Sequence, residues 1–343
     1  MKKIRFILTA IIVLLVVSAC INVTIEVPED QLNQVLQDVV DERPANDEVP
    51  KNDENQTVIP ESPAESPIQP SEVPQESPAE SINQAPEVSA SEQPEEAEAE
   101  EKREPAIGSK SLREKDGMEI LYVPGGSFEM GSTELTYAKP VRTVDVDGFY
   151  IDKYEVTNGQ YRRCVSEGAC QFGGENTSNT RERYYDNPVY TNHPVINLNW
   201  YEAKDYCQWV GGDLPTEAQW EKAARGTDGR RYPWGDFEPN KSKANYNQNE
   251  GDTMPVGSYS QNVSPYGAMD MAGNVWEWTQ DWYADSYSPD DTDNPSGPTA
   301  GQFRTIRGGC WYYEATFIRS AHRSKHNPLY RYYNVGFRCA TTP

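Results

Sequence analysis

Leu214-Pro215-Thr216-Glu217-Ala218-Gln219-Trp220-Glu221 is the stretch on which the reading of the fold turns. Thr216 and Gln219 stand at capping-box spacing: the hydroxyl accepts from a backbone N–H one turn on, and the glutamine side chain accepts from the N–H of the capping residue. A helix therefore starts here, with Trp220, Ala223 and Ala224 expected to face inward and Gly226 ending it. The same grammar recurs upstream. Asn199 with Glu202 caps a helix carrying Ala203, Tyr206, Cys207 and Val210, stopped by Gly211-Gly212, and Thr157 with Gln160 caps one running to Val165. Before these, Met118–Val123 and Ser127–Met130 flank Pro124-Gly125-Gly126 as a hairpin expected to open the domain, and Thr143–Tyr154 alternates as a further strand. Beyond Gly226 the chain is mostly loops rich in Gly, Asn, Asp and Pro, studded with Trp and Tyr.

The 343-residue chain carries a formal net charge of −23, which excludes nucleic acid as a partner. That average joins two unlike regions. Residues 28–107 hold 22 acidic and 4 basic residues and 12 prolines, with no aromatic residue, glycine or cysteine. Every Tyr and Trp lies in the last 236 residues, 108–343, a length that suits one domain.

Met1–Arg5 is basic and Phe6–Val17 is an apolar run short for a membrane span, so residues 1–19 read as a signal peptide. Its end, Val17-Ser18-Ala19-Cys20, resembles the lipobox of bacterial lipoproteins. That resemblance implies cleavage before Cys20, acylation of Cys20, and export to a lipid-anchored position on the extracellular or periplasmic side of the cell membrane, with 20–27 as the anchored N-terminus. In 28–107, Leu32, Val35, Leu36, Val39 and Val40 suggest a short amphipathic helix over Asp30–Glu42. The remainder repeats blocks such as Glu61-Ser62-Pro63-Ala64-Glu65-Ser66-Pro67 and is expected to be a disordered stalk, its apolar surface too small to offset chain entropy. At about 3.1 Å per residue, roughly 60 such residues span up to about 190 Å. The stalk reads as a spacer, with a tail for a basic partner as the alternative.

A loop-rich exported domain needs staples, and five cysteines follow Cys20. Cys164 and Cys170 enclose a short loop and are expected to pair. Pairing of Cys207 with Cys339 would tie the C-terminus to the second helix, and five being odd leaves Cys310 over.

Leu214–Glu221, then Tyr232-Pro233-Trp234-Gly235, Met271-Ala272-Gly273-Asn274-Val275-Trp276-Glu277-Trp278, Arg307-Gly308-Gly309 and Val335-Gly336-Phe337-Arg338-Cys339, in this order, closely resemble the formylglycine-generating enzyme (sulfatase-modifying factor) family. The resemblance implies an α+β domain over 108–343 with little regular secondary structure, related to C-type lectin-like folds, and it too implies a Cys207–Cys339 disulfide. Active members oxidise a sulfatase cysteine to formylglycine with oxygen and a copper(I) ion held by two cysteines after Arg-Gly-Gly. Here those positions carry Tyr313 and Ile318, neither a soft donor, so copper is not expected. Cys310 stands where the family usually has serine, a lone thiol and the one catalytic candidate.

The resemblance also implies calcium, held by the side chains of Asp270 and Glu277 and the carbonyls of Gly273 and Val275. A second calcium would begin at Asn245 and Tyr246; the loop after them is short, its usual aspartate aligns with Gln248, and Asp252 is a substitute. Capping of turns is the plainer role for such residues. His193, His322 and His326 form no recognised metal or triad motif. Arg319, Arg323 and Arg338 either line a pocket for an anionic or peptide ligand or pair with buried carboxylates. Three functions stay open: a surface module binding an envelope protein, peptide or glycan through an aromatic-rich groove; an oxidase, formylglycine-generating or centred on Cys310; and a subunit packed permanently on an envelope partner.

Overall fold

The structure, a computed structural model, describes residues 105–343. The expected signal peptide, the expected lipidation site at Cys20, the helix expected over Asp30–Glu42 and nearly all of the expected stalk lie outside the described residues.

All three helices form with their capping boxes closed: α1 (Asn158–Ser166) on Thr157, α2 (Trp200–Trp209) on Asn199 and α3 (Glu217–Arg225) on Thr216. Around them lie β1 (Lys110–Leu112), β2 (Glu119–Val123), β3 (Gly126–Met130), β4 (Arg142–Val146), β5 (Phe149–Asp152), β6 (Trp276–Trp282), β7 (Arg304–Arg307), β8 (Arg323–His326), β9 (Val335–Gly336) and β10 (Ala340–Thr341). They form sheets in the orders β1-β2-β5-β10, β3-β4 and β8-β7-β6-β9.

The expected hairpin is not one. β2 pairs with β1 on one edge and β5 on the other, while β3 pairs with β4. Val123 faces Phe149 and Gly126 faces Val146, so the register runs on across the break. Pro124-Gly125 and Asp147-Gly148 are matched bends within one long antiparallel arm, and the chain reverses later, between Met130 and Arg142. The single strand expected over Thr143–Tyr154 is accordingly two. A proline without an N–H and two adjacent glycines break a ladder as readily as they turn a hairpin, and only the partner strand distinguishes the outcomes.

Both disulfides form, Cys164–Cys170 and Cys207–Cys339, and Cys310 is the free cysteine among the described residues. The second spans 132 residues of sequence, a closure that removes about 4–5 kcal/mol of unfolded-chain entropy in the loop-closure account. It lies in a core where Tyr161, Tyr206 and Phe337 pack at centroid distances of 5.4–6.4 Å. A second core sets Trp220, Ala223 and Ala224 of α3 against β2–β5. Tryptophan at such a position, truncated to alanine, costs about 3–5 kcal/mol.

Candidate functional site

The segment after Arg-Gly-Gly leaves the end of β7. Arg307 is fully buried and donates to Glu221 Oε2 at 2.5 Å, to Ser320 O at 3.0 Å and to His322 O at 3.1 Å, so one guanidinium clamps both ends of the segment. Gly309 has φ +73°, and a Cβ there would stand 2.6 Å from Ile318 Cγ2 and 2.7 Å from Phe317 O, so the loop closes this tightly only on glycine.

Cys310 is buried, and its sulfur meets Asn334 Nδ2 at 3.6 Å. Burial pushes its thiol up to about 11, leaving it protonated and a poor nucleophile or metal ligand at neutral pH. Tyr313 packs on Phe317 with centroids 4.8 Å apart and meets Trp276 at 6.1 Å. Ile318 is buried with Tyr232, Ala244 and Ala272. A phenol and a branched alkyl group beside one protonated thiol do not fit copper(I), which needs soft thiolates.

The segment and the loop before β9 instead present rings. Tyr312 and Tyr333, 44% and 45% exposed, flank buried Trp311 at 5.7 and 6.1 Å, and Leu329 and Tyr330 are exposed nearby in sequence. The backbone beneath is fixed: Gln248 N donates to Trp311 O and Asn247 N to Tyr313 O, both at 2.7 Å, and Trp311 N donates to Asn274 O at 2.9 Å. Half-exposed tyrosines on a rigid backbone suit recognition, because they offer large contact area and lose little entropy on binding.

The calcium candidates lie in the turn before β6 and, for Glu277, in β6 itself. Asp270, Gly273 and Asn274 have φ of +59°, +84° and +65°, and a Cβ at Gly273 would stand 2.3 Å from Asn245 O. Glu277 is fully buried; Arg338 donates to it at 2.6 and 2.7 Å and Trp220 Nε1 at 2.8 Å. Asp270 Oδ2 accepts from Gly257 N at 2.5 Å. Glu155, which the sequence reading passed over, joins them through Asn274 Nδ2 at 3.0 Å. Burial, then the neighbouring Asp270 and Glu277 carboxylates, push Glu155 well above the usual carboxyl range, and burial lifts Asp270 to about 6.

Two buried amide oxygens here lack a partner, Asn245 Oδ1 and Asn262 Oδ1, and Glu155 Oε2 has only the neighbouring Asp270 carboxyl to share a proton with. All are acceptors, so the cluster has room for a proton or a cation. No three of His, Cys, Asp or Glu converge on one metal-sized point among the described residues. A calcium ion would thus draw largely on carbonyl and amide oxygens, which calcium accepts. Tyr246, proposed for a second ion, has its carbonyl engaged by Asn249 N at 3.0 Å.

The remaining candidates are structural or separate. Burial lowers His193, His322 and His326 to about 4, and each sits against aromatic rings, His326 stacked on Tyr332 at 3.9 Å. Arg323 pairs with Glu217 at 2.7 Å and Arg338 with Glu277, so both belong to the core. Arg319 pairs with Glu134 and borders a cavity of about 580 Å³ that Arg225 and Arg231 also line.

Residues 108–343 match the sulfatase-modifying factor enzyme 1-like domain. The chain is 40% identical over 237 residues to serine/threonine-protein kinase Pkn1 of Chlamydia trachomatis, covering 65% of this chain and 38% of that one, so it spans about two fifths of such kinase relatives. It is 32% identical over 278 residues to the formylglycine-generating enzyme of Mus musculus, covering 64% of this chain and 74% of that enzyme. Among solved structures, PvdO from Pseudomonas aeruginosa superposes with a TM-score of 0.61 at 26% identity, covering 70% of this chain and all of that one.

Proposed function

The chain belongs to the family of sulfatase-modifying factor enzyme 1-like domains, and from that premise we propose that its domain is a binding or structural module of the cell envelope. It recognises a protein, peptide or glycan rather than oxidising a cysteine. Tyr313 and Ile318 at the positions of the family's two copper-binding cysteines carry this reading, because no step through a thiolate-held copper ion is available without them. What this surface offers in exchange is an aromatic face, Tyr312 of that segment beside Tyr333 of the loop before β9. Fold membership alone does not fix chemistry, so the reading rests on the site.

The rest of the proposal follows from sequence. Lipidated Cys20 holds the chain on the outer side of a membrane, and the stalk of 28–107 sets the distance of the domain from it. Calcium, held by Asp270, Glu277 and the Gly273 and Val275 carbonyls, supplies positive charge to the cluster that supports Trp311 through Asn274.

The experiment has two arms on the full chain. Copper(I)-loaded protein is incubated with oxygen and a sulfatase-type cysteine peptide; no aldehyde is expected, and its formation overturns the proposal. Defined envelope peptides and glycans are then screened for direct binding, with Tyr312→Ala and Tyr333→Ala expected to abolish retention. Retention unchanged in both variants removes the aromatic face from the reading.

A further inference from the structure

The family likeness places a second cation at Asn245 and Tyr246, closed by a carboxylate from the following loop. In this chain that carboxylate is Asp252, 1% exposed and already full. Its Oδ2 accepts from Ser178 Oγ at 2.6 Å, Thr180 N at 2.8 Å and Thr180 Oγ1 at 2.7 Å. Its Oδ1 accepts from Thr253 N at 2.7 Å and faces Arg181 Nη1 at 3.2 Å. A carboxylate has about four lone-pair directions, so none remains for a metal. The Asn245 amide group is held as well, donating to Asp252 O at 2.8 Å and to Asn274 Oδ1 at 3.3 Å, which leaves Asn245 Oδ1 as the spare oxygen. One oxygen falls far short of the six to eight that calcium gathers.

The positive charge is present in another form. Arg181, besides facing Asp252, donates to the carbonyl of Thr253 at 3.0 Å and to its hydroxyl at 3.2 Å, and its guanidinium stands 5.3 Å from the Tyr190 ring centre. Ser178, both donors of Thr180, the Thr253 N–H and the Arg181 guanidinium all converge on the two oxygens of Asp252, the surroundings of a buried anion that needs a counter-charge.

We propose that the Arg181 guanidinium replaces the second cation of the family: it neutralises Asp252 and pins the loop 245–253 without a metal. The loop has a use. Asn247 and Gln248, with φ of +50° and +56°, aim their N–H groups at the Tyr313 and Trp311 carbonyls. Arg181 is thus a positioning residue for the aromatic segment, acting through Asp252 and this loop; that it serves ligand binding rests on the function proposed above.

The test is residue-resolved amide hydrogen exchange on the full chain as wild type, Arg181→Gln and Arg181→Lys, each in calcium and in chelator. Wild-type Asn247 and Gln248 are expected to be equally protected in both buffers. They exchange about tenfold faster or more in Arg181→Gln, with no recovery in calcium, and Arg181→Lys regains most of the protection. Wild-type exchange at these two amides that slows on adding calcium overturns the proposal, and so does calcium rescue of Arg181→Gln, since either places a cation there. Exchange in Arg181→Gln equal to wild type overturns it as well. Should Arg181→Gln not fold, the wild-type comparison and Arg181→Lys still decide. A calcium response confined to Gly273–Val275 reports the Asp270 site and, with Asn247 and Gln248 unresponsive, supports the assignment. Failure of the ligand proposal shows separately, as absence of binding by wild type.

Discussion

Two buried charge clusters flank Trp220, and they are built to opposite rules. On one side Glu217, Glu221 and Asp281 meet Arg225, Arg307 and Arg323, three carboxyls against three guanidiniums. Glu217 receives Arg323 at 2.7 Å through both oxygens, and the atoms left without partners are donors, Arg225 Nε and Arg307 Nε. On the other side Glu155, Asp270 and Glu277 share Arg338 alone, and the leftover atoms are acceptors. The first cluster is closed and holds α3 to β7. The second is short of positive charge, which a structural knot has no reason to be and a cation or proton site has.

The contrast breaks most visibly if the closed cluster is opened. Glu221→Ala removes the carboxylate that Arg307 and Arg225 share in a dry interior, leaving Arg307 only Glu217 at 3.3 Å, and should cost about 3–5 kcal/mol. The melting temperature by calorimetry should fall by roughly 10 °C; a loss near zero would mean the pair is not buried as described. Next in size is calcium: at about a hundredfold over its dissociation constant it should stabilise wild type by about 2.7 kcal/mol. Asp270→Asn should abolish that response, and a wild-type melt indifferent to calcium and chelator would remove the ion from the open cluster.

The pH dependence is smaller. Burial first, then Glu217, raises Asp281 to about 7, so its proton is bound more tightly folded than unfolded. Its contribution is present at mildly acidic pH and is lost as pH rises from about 4 through 7, on the order of 2 kcal/mol of it between about pH 5 and 7. Asp281→Asn should flatten melting temperature against pH between about 5 and 8, and an unaltered slope would assign the effect to another group. Smallest is Glu155→Gln in chelator. Removing a surplus buried carboxyl should leave stability unchanged or raise it by about 1 kcal/mol, whereas a clear loss would show the open cluster to be structural after all.

Much of this was legible along the chain. The helix starts at Thr157, Asn199 and Thr216 were readable because a capping box is a contact over three residues. The absence of soft donors at Tyr313 and Ile318 is likewise a property of residue type at a position. The bend at Pro124-Gly125, the inward glutamates of α3 and the part of Glu155 were not legible, since each depends on a partner far away in sequence. Helical spacing sets Glu217 and Glu221 on the same face as Trp220 and Ala224, yet carboxylates are tolerated there only because Arg323 and Arg307 arrive from about a hundred residues downstream.

By itself the sequence determined where helices begin, which cysteines had a plausible mate, and that two sulfurs are missing from the segment after Arg-Gly-Gly. Only the tertiary structure decided which cluster is short of positive charge, that Cys310 is buried as a thiol, and that Arg181 reaches Asp252. The physical reason is the same in each case: local hydrogen bonds and residue chemistry are fixed by neighbours in the chain, whereas desolvation and charge pairing depend on everything that packs within a few ångströms.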